Sequence, residues 1–481
     1  METTKQYFYK TLLTLVLATI SFFIWKEFLP NKLFPTPKGV SKNVVVDSLL
    51  LEALEDVDTS KVKIAKEEIT FAIEDGIQFP NEEVEEYSGY QYLLDFYESL
   101  FQLETEKEGN VRIAYFSDSM TDGDMIVQDL RMLFQEKYGG TGVGFVNITS
   151  ESASSRSSLK HEFSGNWKTQ SYLKTKHPKD NFGVNGHVFY AHDTLPNSWV
   201  RFKASRMRFV NSLPKPTLFY GYSENKNGKV FRIINGDTIE QKLTPNKKLN
   251  QLHFGNGDVN SLQVYFSEAD SIPIYGFNFD DRKGVHVDNF SSRGNSGLPL
   301  SMFNKNLMNE FQKELGYDLI ILHYGTNVLN YGSYNYSWYE KRMQKVVAHV
   351  KECFPNAEVL VISTADKTTK YDLEMKTDSA VVPLVTAQKK YAISSQSGFV
   401  NLYKEMGGEN SMIKWVEEEP AKANKDYTHF NYLGSRAVAK LIYNKIDKGY
   451  SEYKKLRKKK SVVVKRKNDS VVEQKDSIYA D

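Results

Sequence analysis

"VRIAYFSDSMTDGDMI", residues 111–126, opens as an apolar strand and breaks into serines, aspartates and a glycine before an amphipathic run begins at Met125. Residues 111–148 and 284–446 continue in the same way, as strands alternating with helices. That is the pattern of a parallel sheet covered on both faces. The strand Val111–Phe116 runs into "SDSMTDGD", the strand Val285–Phe290 into "SSRGNSG" ahead of a helix near Leu298, and the strand Tyr317–Tyr324 into "GTN". All three loops leave the carboxyl ends of strands, the edge of an open parallel sheet where ligands bind. A fourth loop, in "NKDYTHFNYLGSRAVAKLIYNKI", offers Asp426 and His429 just ahead of a final helix that Asn431 is expected to cap. In the first loop, Thr121 or Asp122 is expected to cap the helix through Met125 to Tyr138, and Asp118 to serve local structure.

These residue types together suit one chemistry. A serine hydroxyl is a poor nucleophile until a base takes its proton, and histidine is the side chain whose unperturbed pKa suits that near neutrality. The base needs a carboxylate to fix its tautomer and hold the imidazolium. Ser119, His429 and Asp426 supply the three roles. Attack on an ester carbonyl creates an oxyanion, which needs preorganised donors. The Gly294 N–H, the Asn327 amide and the Ser119 N–H are the candidates. Taken singly, each loop has a plainer reading: a helix-capping serine, a turn, a flexible glycine loop, a surface acid beside a histidine. Their order and common placement join them into one site.

Between the first two loops, residues 160–282 follow a different rule. "SWVRFKASRMRFV", "PTLFYGYS", "KVFRIING", "SLQVYFSE" and "IPIYGFNFD" are short strands separated by Asn, Gly, Pro and Asp turns. This is an all-β sandwich inserted into an α/β domain. Its His187, His192 and His253 are read as surface or core residues, with sugar contacts as the alternative. No histidine shows ligand spacing, so neither a metal nor another cofactor is expected.

The flanks carry opposite charge. Residues 40–109 are acidic, and Tyr92, Leu93, Phe96, Tyr97, Leu100, Phe101 and Leu103 recur at helical spacing there. The rest of that stretch is read as a spacer. Residues 454–467, "KKLRKKKSVVVKRK", are basic and read as a solvated disordered tail, or one attracted to anionic polymer or lipid head groups. At the other end, Thr11–Trp25 is uncharged and apolar, lies between lysines, and lacks a small-x-small cleavage pattern after it. It is read as a retained signal anchor, with a cleaved export signal and a buried core helix as the alternatives, and as placing the bulk of the chain outside the cytoplasm. A net charge of +2 gives no instruction about partners, and no nucleic-acid partner is expected. The single cysteine, Cys353, excludes an intrachain disulfide and is read as a half-buried helix residue.

"SDS" with Ser119, "SRGNSG" with Gly294, "GTN" with Asn327 and "DYTH" with Asp426 and His429 resemble the four blocks of the SGNH (GDSL-type) esterases. "LRMLFQEKYGGTGVGFV" after the serine, the inserted β module, "HYGTN", and "MGGENSMIKWV" before the last block resemble the periplasmic peptidoglycan O-acetylesterases within that family. The resemblance covers roughly residues 90–447 and rests on the order of the blocks more than on any one motif. It implies a three-layer, flavodoxin-like α/β esterase domain over residues 89–159 and 283–447. A jelly-roll-like, carbohydrate-binding-like sandwich over 160–282 interrupts it. A signal anchor (1–30), an acidic spacer (31–88) and a basic tail (448–481) complete the division.

In that family the serine is the nucleophile, the glycine and asparagine complete the oxyanion hole, and the D-x-x-H block supplies the other two triad members. The expected substrate is an O-acetylated glycan such as peptidoglycan, met on the periplasmic side of the inner membrane of a bacterial cell envelope. Two alternatives remain: a glycan O-acetyltransferase using the same triad beside a membrane acyltransferase partner, and a non-catalytic glycan-binding protein. The sequence departs from the family pattern at Ser117, where the family has glycine, and in "GNSGL", where the O-acetylesterases it resembles are more apolar.

Overall fold

The computed structural model describes residues 47–54 and 68–476, apart from 193–196, 235, 256 and 330–333, together with scattered residues between 9 and 21. Residues 1–44 form a unit of their own. The apolar run at Thr11–Trp25 falls largely outside the described residues, among which no helix is long and apolar enough to cross a membrane.

Five strands form a wholly parallel sheet: β1 (Asn110–Ser117), β2 (Gly284–Ser291), β3 (Leu319–His323), β4 (Glu358–Ile362) and β5 (Gly398–Val400). Their order is β2-β1-β3-β4-β5, the doubly wound flavodoxin-like order. β1 and β3 are buried along almost their whole length, as strands covered on both faces must be. Right-handed crossovers running in opposite directions from β1 put their helices on opposite faces. One layer holds α1 (Leu94–Glu106), α2 (Val127–Tyr138) and α6 (Tyr432–Asp476), with α6 packed on both α1 and α2. The other holds α3 (Lys305–Leu315), α4 (Ser337–Cys353) and α5 (Val381–Ser394), with α4 packed on both α3 and α5. Register sets the site: Ser117 of β1 stands opposite Ser291 of β2 and His323 of β3, so the three following loops leave the sheet at one level.

The insert is two antiparallel sheets that share a second hydrophobic core, with Val200, Phe202 and Val264 from one and Leu218, Phe277 and Phe279 from the other. Ser261–Ser267 alternates buried and half-buried residues, the period-two signature of a sandwich strand. The insert begins earlier than residue 160. Gly144–Val146 pairs antiparallel with Phe277–Phe279 and so belongs to the insert's sheet.

A buried charge cluster joins the insert to the parallel sheet. Arg112 of β1 grips Asp288 of β2 with Nε at 2.8 Å and Nη2 at 2.9 Å, and also donates to Asp280 and Asn278 at the end of the insert's last strand. Tyr317 Oη and Phe145 N–H donate to the same Asp288 carboxylate at 2.7 and 2.9 Å. Burial works against ionising Asp280, but the charge of Arg112 outweighs it and holds the carboxyl well below its usual range. Arg112→Met leaves buried Asp288 without its ion-pair partner and Asp280 with only the more distant Arg282 at 3.8 Å, and is expected to cost about 3–5 kcal/mol. Urea unfolding checks this as a lower midpoint with the slope unchanged.

Two flanking segments differ from their sequence readings. The spacer is not free of the domain: Asp47 caps the helix Ser48–Leu54, Leu50 and Ala53 are buried, and Phe71, Phe79 and Tyr87 join the main core. Nor is the basic tail disordered from residue 448, because α6 continues through it to Asp476. Tyr450 and Tyr453 are buried against Tyr97 of α1, and Arg457 binds Glu98 bidentately at 2.8 and 3.0 Å while lying 3.9 Å from the Phe101 ring centre. The acidic face of α1 is the counterpart that a solvated reading of the tail left out. Cys353 is fully buried at the end of α4.

Candidate active site

β1 ends at Ser117, and the chain turns at once into a 3-10 segment, Ser119–Asp124. Asp118 caps it, its carboxylate accepting the Met120 N–H at 2.9 Å. As the first residue of the turn, Ser119 has an N–H with no acceptor inside it. Ser117 sits in extended strand backbone, so the family's glycine is not needed there for a left-handed conformation.

The turn then departs from a simple helix start. Gly123, Asp124 and Ile126 all have positive φ (67°, 68° and 64°), and α2 begins only at Val127 without a side-chain cap. Non-glycine residues in this region cost about 1–3 kcal/mol each. A buried network opposes that cost: Asp124 binds Arg131 at 2.9 and 3.1 Å, Arg156 at 3.3 Å, Ser158 and Asn289. Asn289 also donates to the Thr121 carbonyl at 2.8 Å. Neither Thr121 nor Asp122 caps α2. Asp122 pairs instead with Arg293 of the second loop.

The fourth loop is folded on itself. The Asn424 N–H donates to the His429 carbonyl at 2.9 Å, and one Asp426 oxygen accepts the backbone N–H groups of Thr428 and His429, each at 3.0 Å. The other Asp426 oxygen lies 2.8 Å from His429 Nδ1, and His429 Nε2 lies 3.1 Å from Ser119 Oγ. With Nδ1 facing a carboxylate, the proton belongs there, and Nε2 is left to accept from the Ser119 hydroxyl. Burial pushes Asp426 upward, but the hydrogen bonds from the His429 side chain and backbone outweigh it and hold the carboxyl near about 2. The hydrogen bond to Asp426 in turn raises His429 above its ordinary 6.5 against desolvation, with Asp118 adding to the rise and Arg293 opposing it. Asn431 caps α6 as expected, accepting the Leu433 and Gly434 N–H groups at 2.9 and 3.1 Å.

Gly294 has φ +83°, a conformation its neighbours' side chains would strain to adopt. Its N–H donates to no group among the described residues. Within the polar "GNSGL" sequence that departs from the family, Asn295, Ser296 and Gly297 are buried and each makes hydrogen bonds. Asn295 Nδ2 donates to Tyr172 of the insert at 3.0 Å, Asn295 Oδ1 accepts the Gly297 N–H at 2.8 Å, and the Ser296 carbonyl accepts from Tyr339 at 2.7 Å. The Ser296 N–H donates to Asp47 at 3.2 Å. Gly297 (φ +90°) could not carry a side chain, since a Cβ there would lie 2.8 Å from the Tyr324 ring. Asn327 Nδ2 donates both to Asp118 at 3.1 Å and to the Asn295 carbonyl at 3.0 Å.

All five residues singled out in the sequence therefore meet in one site. Ser119, His429 and Asp426 form a continuous hydrogen-bonded chain, and Asn327 and Gly294 join it through Asp118 and Asn295. The sequence reading gave Asp118 only a local role and missed two further supports, Asp47 and Tyr172. Asp118 holds Asn327 as well as its own turn, and burial pushes it up to about 6 against its hydrogen bond from Met120 and the charge of His429. Asp47 and Tyr172 brace the Gly294 loop from the presumed spacer and from the insert. Only Asp47 had a local signal, an aspartate ahead of the apolar helical run "SLLLEAL".

No family model matches the chain, and no curated protein matches it. Among solved structures, a peptidoglycan O-acetylesterase is similar with a TM-score of 0.59 at 20% identity, over 77% of this chain and 97% of that chain. An acetyl xylan esterase is similar over 33% of this chain and 80% of that chain, with a TM-score of 0.27 at 19% identity. A family two carbohydrate esterase from Cellvibrio japonicus is similar over 61% of this chain and 98% of that chain, with a TM-score of 0.25 at 10% identity. The first likeness is one of fold across nearly the whole of the other chain. The other two superpose too loosely to carry an argument.

Proposed function

We propose that this chain, built on the SGNH/GDSL-type esterase fold, removes O-acetyl groups from a cell-envelope glycan through an acetyl-serine intermediate, with peptidoglycan as the foremost substrate. The observation that carries the reading is the unbroken Ser119–His429–Asp426 chain at the sheet's carboxyl edge. The Ser119 oxygen attacks the acetyl carbonyl as His429 Nε2 takes its proton, and Asp426 holds the imidazolium that forms. The oxyanion is received by the Ser119 and Gly294 N–H groups and the Asn327 amide. The C–O bond to the sugar breaks, the sugar oxygen leaves with the proton from His429, and water cleaves the acetyl-serine to acetate.

Solvent access favours hydrolysis over transfer. The His429 and Asp426 side chains are 39% and 50% exposed, so water reaches the base directly. The choice of peptidoglycan leans on the fold shared with the peptidoglycan O-acetylesterase and on the order of the sequence blocks. We place the enzyme on the periplasmic side of the inner membrane because an apolar run between lysines precedes the folded part. The test is product analysis with O-acetylated peptidoglycan, other acetylated glycans and an unacetylated acceptor. Free acetate as the dominant product supports the esterase, and acetylated acceptor the transferase. Glycan binding without turnover of any acetyl ester points to the binding protein.

The reading also fixes a pH dependence. Only neutral His429 can act as base, so kcat/KM falls on the acid side, with a midpoint expected above 6.5 because Asp426 and Asp118 stabilise the imidazolium. Asp118→Asn removes one of those anions while keeping an oxygen for Asn327. The imidazolium is then less stable, so the acid limb is expected to move to lower pH by a fraction of a unit. A limb that stays or moves upward contradicts the assignment.

A further inference from the structure

A cavity of about 260 Å³ lies where the insert meets the catalytic loops. On one side it is walled by Asp122 of the nucleophile turn and by Ser291–Arg293, the residues that lead directly into Gly294. On the other it is walled by Thr169, Ser171, Lys174 and His187 of the insert. Its volume falls just below the range of about 300–1,000 Å³ that encloses whole ligands, so it suits one ring of a longer chain. Its charges are already matched: Arg293 pairs with Asp122, and Lys174 with Glu151 at 3.2 Å. The two lining cations are balanced by two lining carboxylates, so the wall presents no net charge, and hydroxyl-bearing side chains dominate what remains.

His187 gives the cavity a directed acceptor. Its Nδ1 lies 2.8 Å from the Asn185 carbonyl and must donate there, which leaves the Nε2 lone pair for a ligand. The ring is held by stacking on Phe189, with centroids 5.7 Å apart and planes within 5°, and by Tyr172 at 6.4 Å. Tyr172 is the residue that also fixes Asn295 beside Gly294. Burial lowers the His187 pKa, so the ring stays neutral and the acceptor persists at neutral pH.

Resting on the esterase reading above, we infer that this cavity is a subsite for one uncharged pyranose residue of the glycan, adjacent to the acetylated position, and that His187 Nε2 accepts a hydroxyl or acetamido N–H from it. The insert then acts in catalysis as one wall of the substrate groove. That placement accounts for its being tied to the sheet through Arg112 and to the Gly294 loop through Tyr172.

The test is steady-state kinetics of the full chain on O-acetylated peptidoglycan and on a small aryl acetate that has no sugar. His187→Ala is expected to raise KM for the polymer about five- to tenfold, the worth of one hydrogen bond, with kcat and small-ester kcat/KM unchanged. His187→Gln, which restores a carbonyl acceptor, is expected to recover part of the loss. Thr169→Trp, which fills the cavity, is expected to suppress polymer turnover and spare the small ester. Unchanged polymer KM in all three variants, or equal losses on both substrates, overturns the subsite while leaving the esterase reading intact. Failure of the unaltered chain to turn over either substrate overturns that reading, and the subsite with it.

Discussion

Ser119→Ala is expected to lower acetate release from a small aryl acetate by about five to six orders of magnitude, as loss of a triad nucleophile does elsewhere. The effect is confined to chemistry because Ser119 Oγ contributes one half-buried hydrogen bond, to His429, and none to the buried network that holds its turn. Stability is therefore expected to change by no more than about 1 kcal/mol. Turnover is measured by acetate release and integrity by urea unfolding. A folded variant that still turns over at the original rate removes Ser119 from the mechanism. A variant that loses activity together with most of its stability says nothing for a nucleophile, and Ser119→Cys then serves in its place.

Asn327→Ala is expected to lower kcat by about two to three orders of magnitude with KM little changed, the usual weight of one oxyanion donor. In the resting site both Nδ2 hydrogens are already engaged, one by Asp118 and one by the Asn295 carbonyl. The amide is thus held in place before substrate arrives, and the developing oxyanion must share a hydrogen with one of those acceptors. The same arrangement gives the substitution a second cost, since Asp118 is fully buried and loses a donor. Kinetics at saturating ester checks the first effect and unfolding the second. An unchanged kcat would remove Asn327 from the oxyanion hole.

The sheet and the five site residues were legible because their signals are local. Three of the blocks are strands followed within a few residues by Ser119, Gly294 and Asn327, which parallel register brings to one edge, whereas Asp426 and His429 lie in a loop marked only by its own residues and by the Asn431 cap of α6. What was not legible depends on partners distant in sequence. The left-handed residues that delay α2 to Val127 are held by Arg156, Ser158 and Asn289, none of which marks itself as a neighbour of Asp124. Gly144–Val146 is too short to show alternation, and only its pairing with Phe277–Phe279 assigns it to the insert. The basic tail looked solvated because its counter-charges, Glu98 and Glu104, lie on a helix hundreds of residues earlier. Asp47 was hidden within an acidic stretch by its own charge, although it is buried and supports the loop that carries Gly294.

The claim at the centre is that one assembled site takes acetyl groups from a glycan and gives them to water. Acetate release from O-acetylated peptidoglycan by the full chain, run beside Ser119→Ala, tests it most directly. The unaltered chain is expected to release free acetate steadily, and the variant only at the background rate. No release by the folded, unaltered chain, or equal release by both, contradicts it.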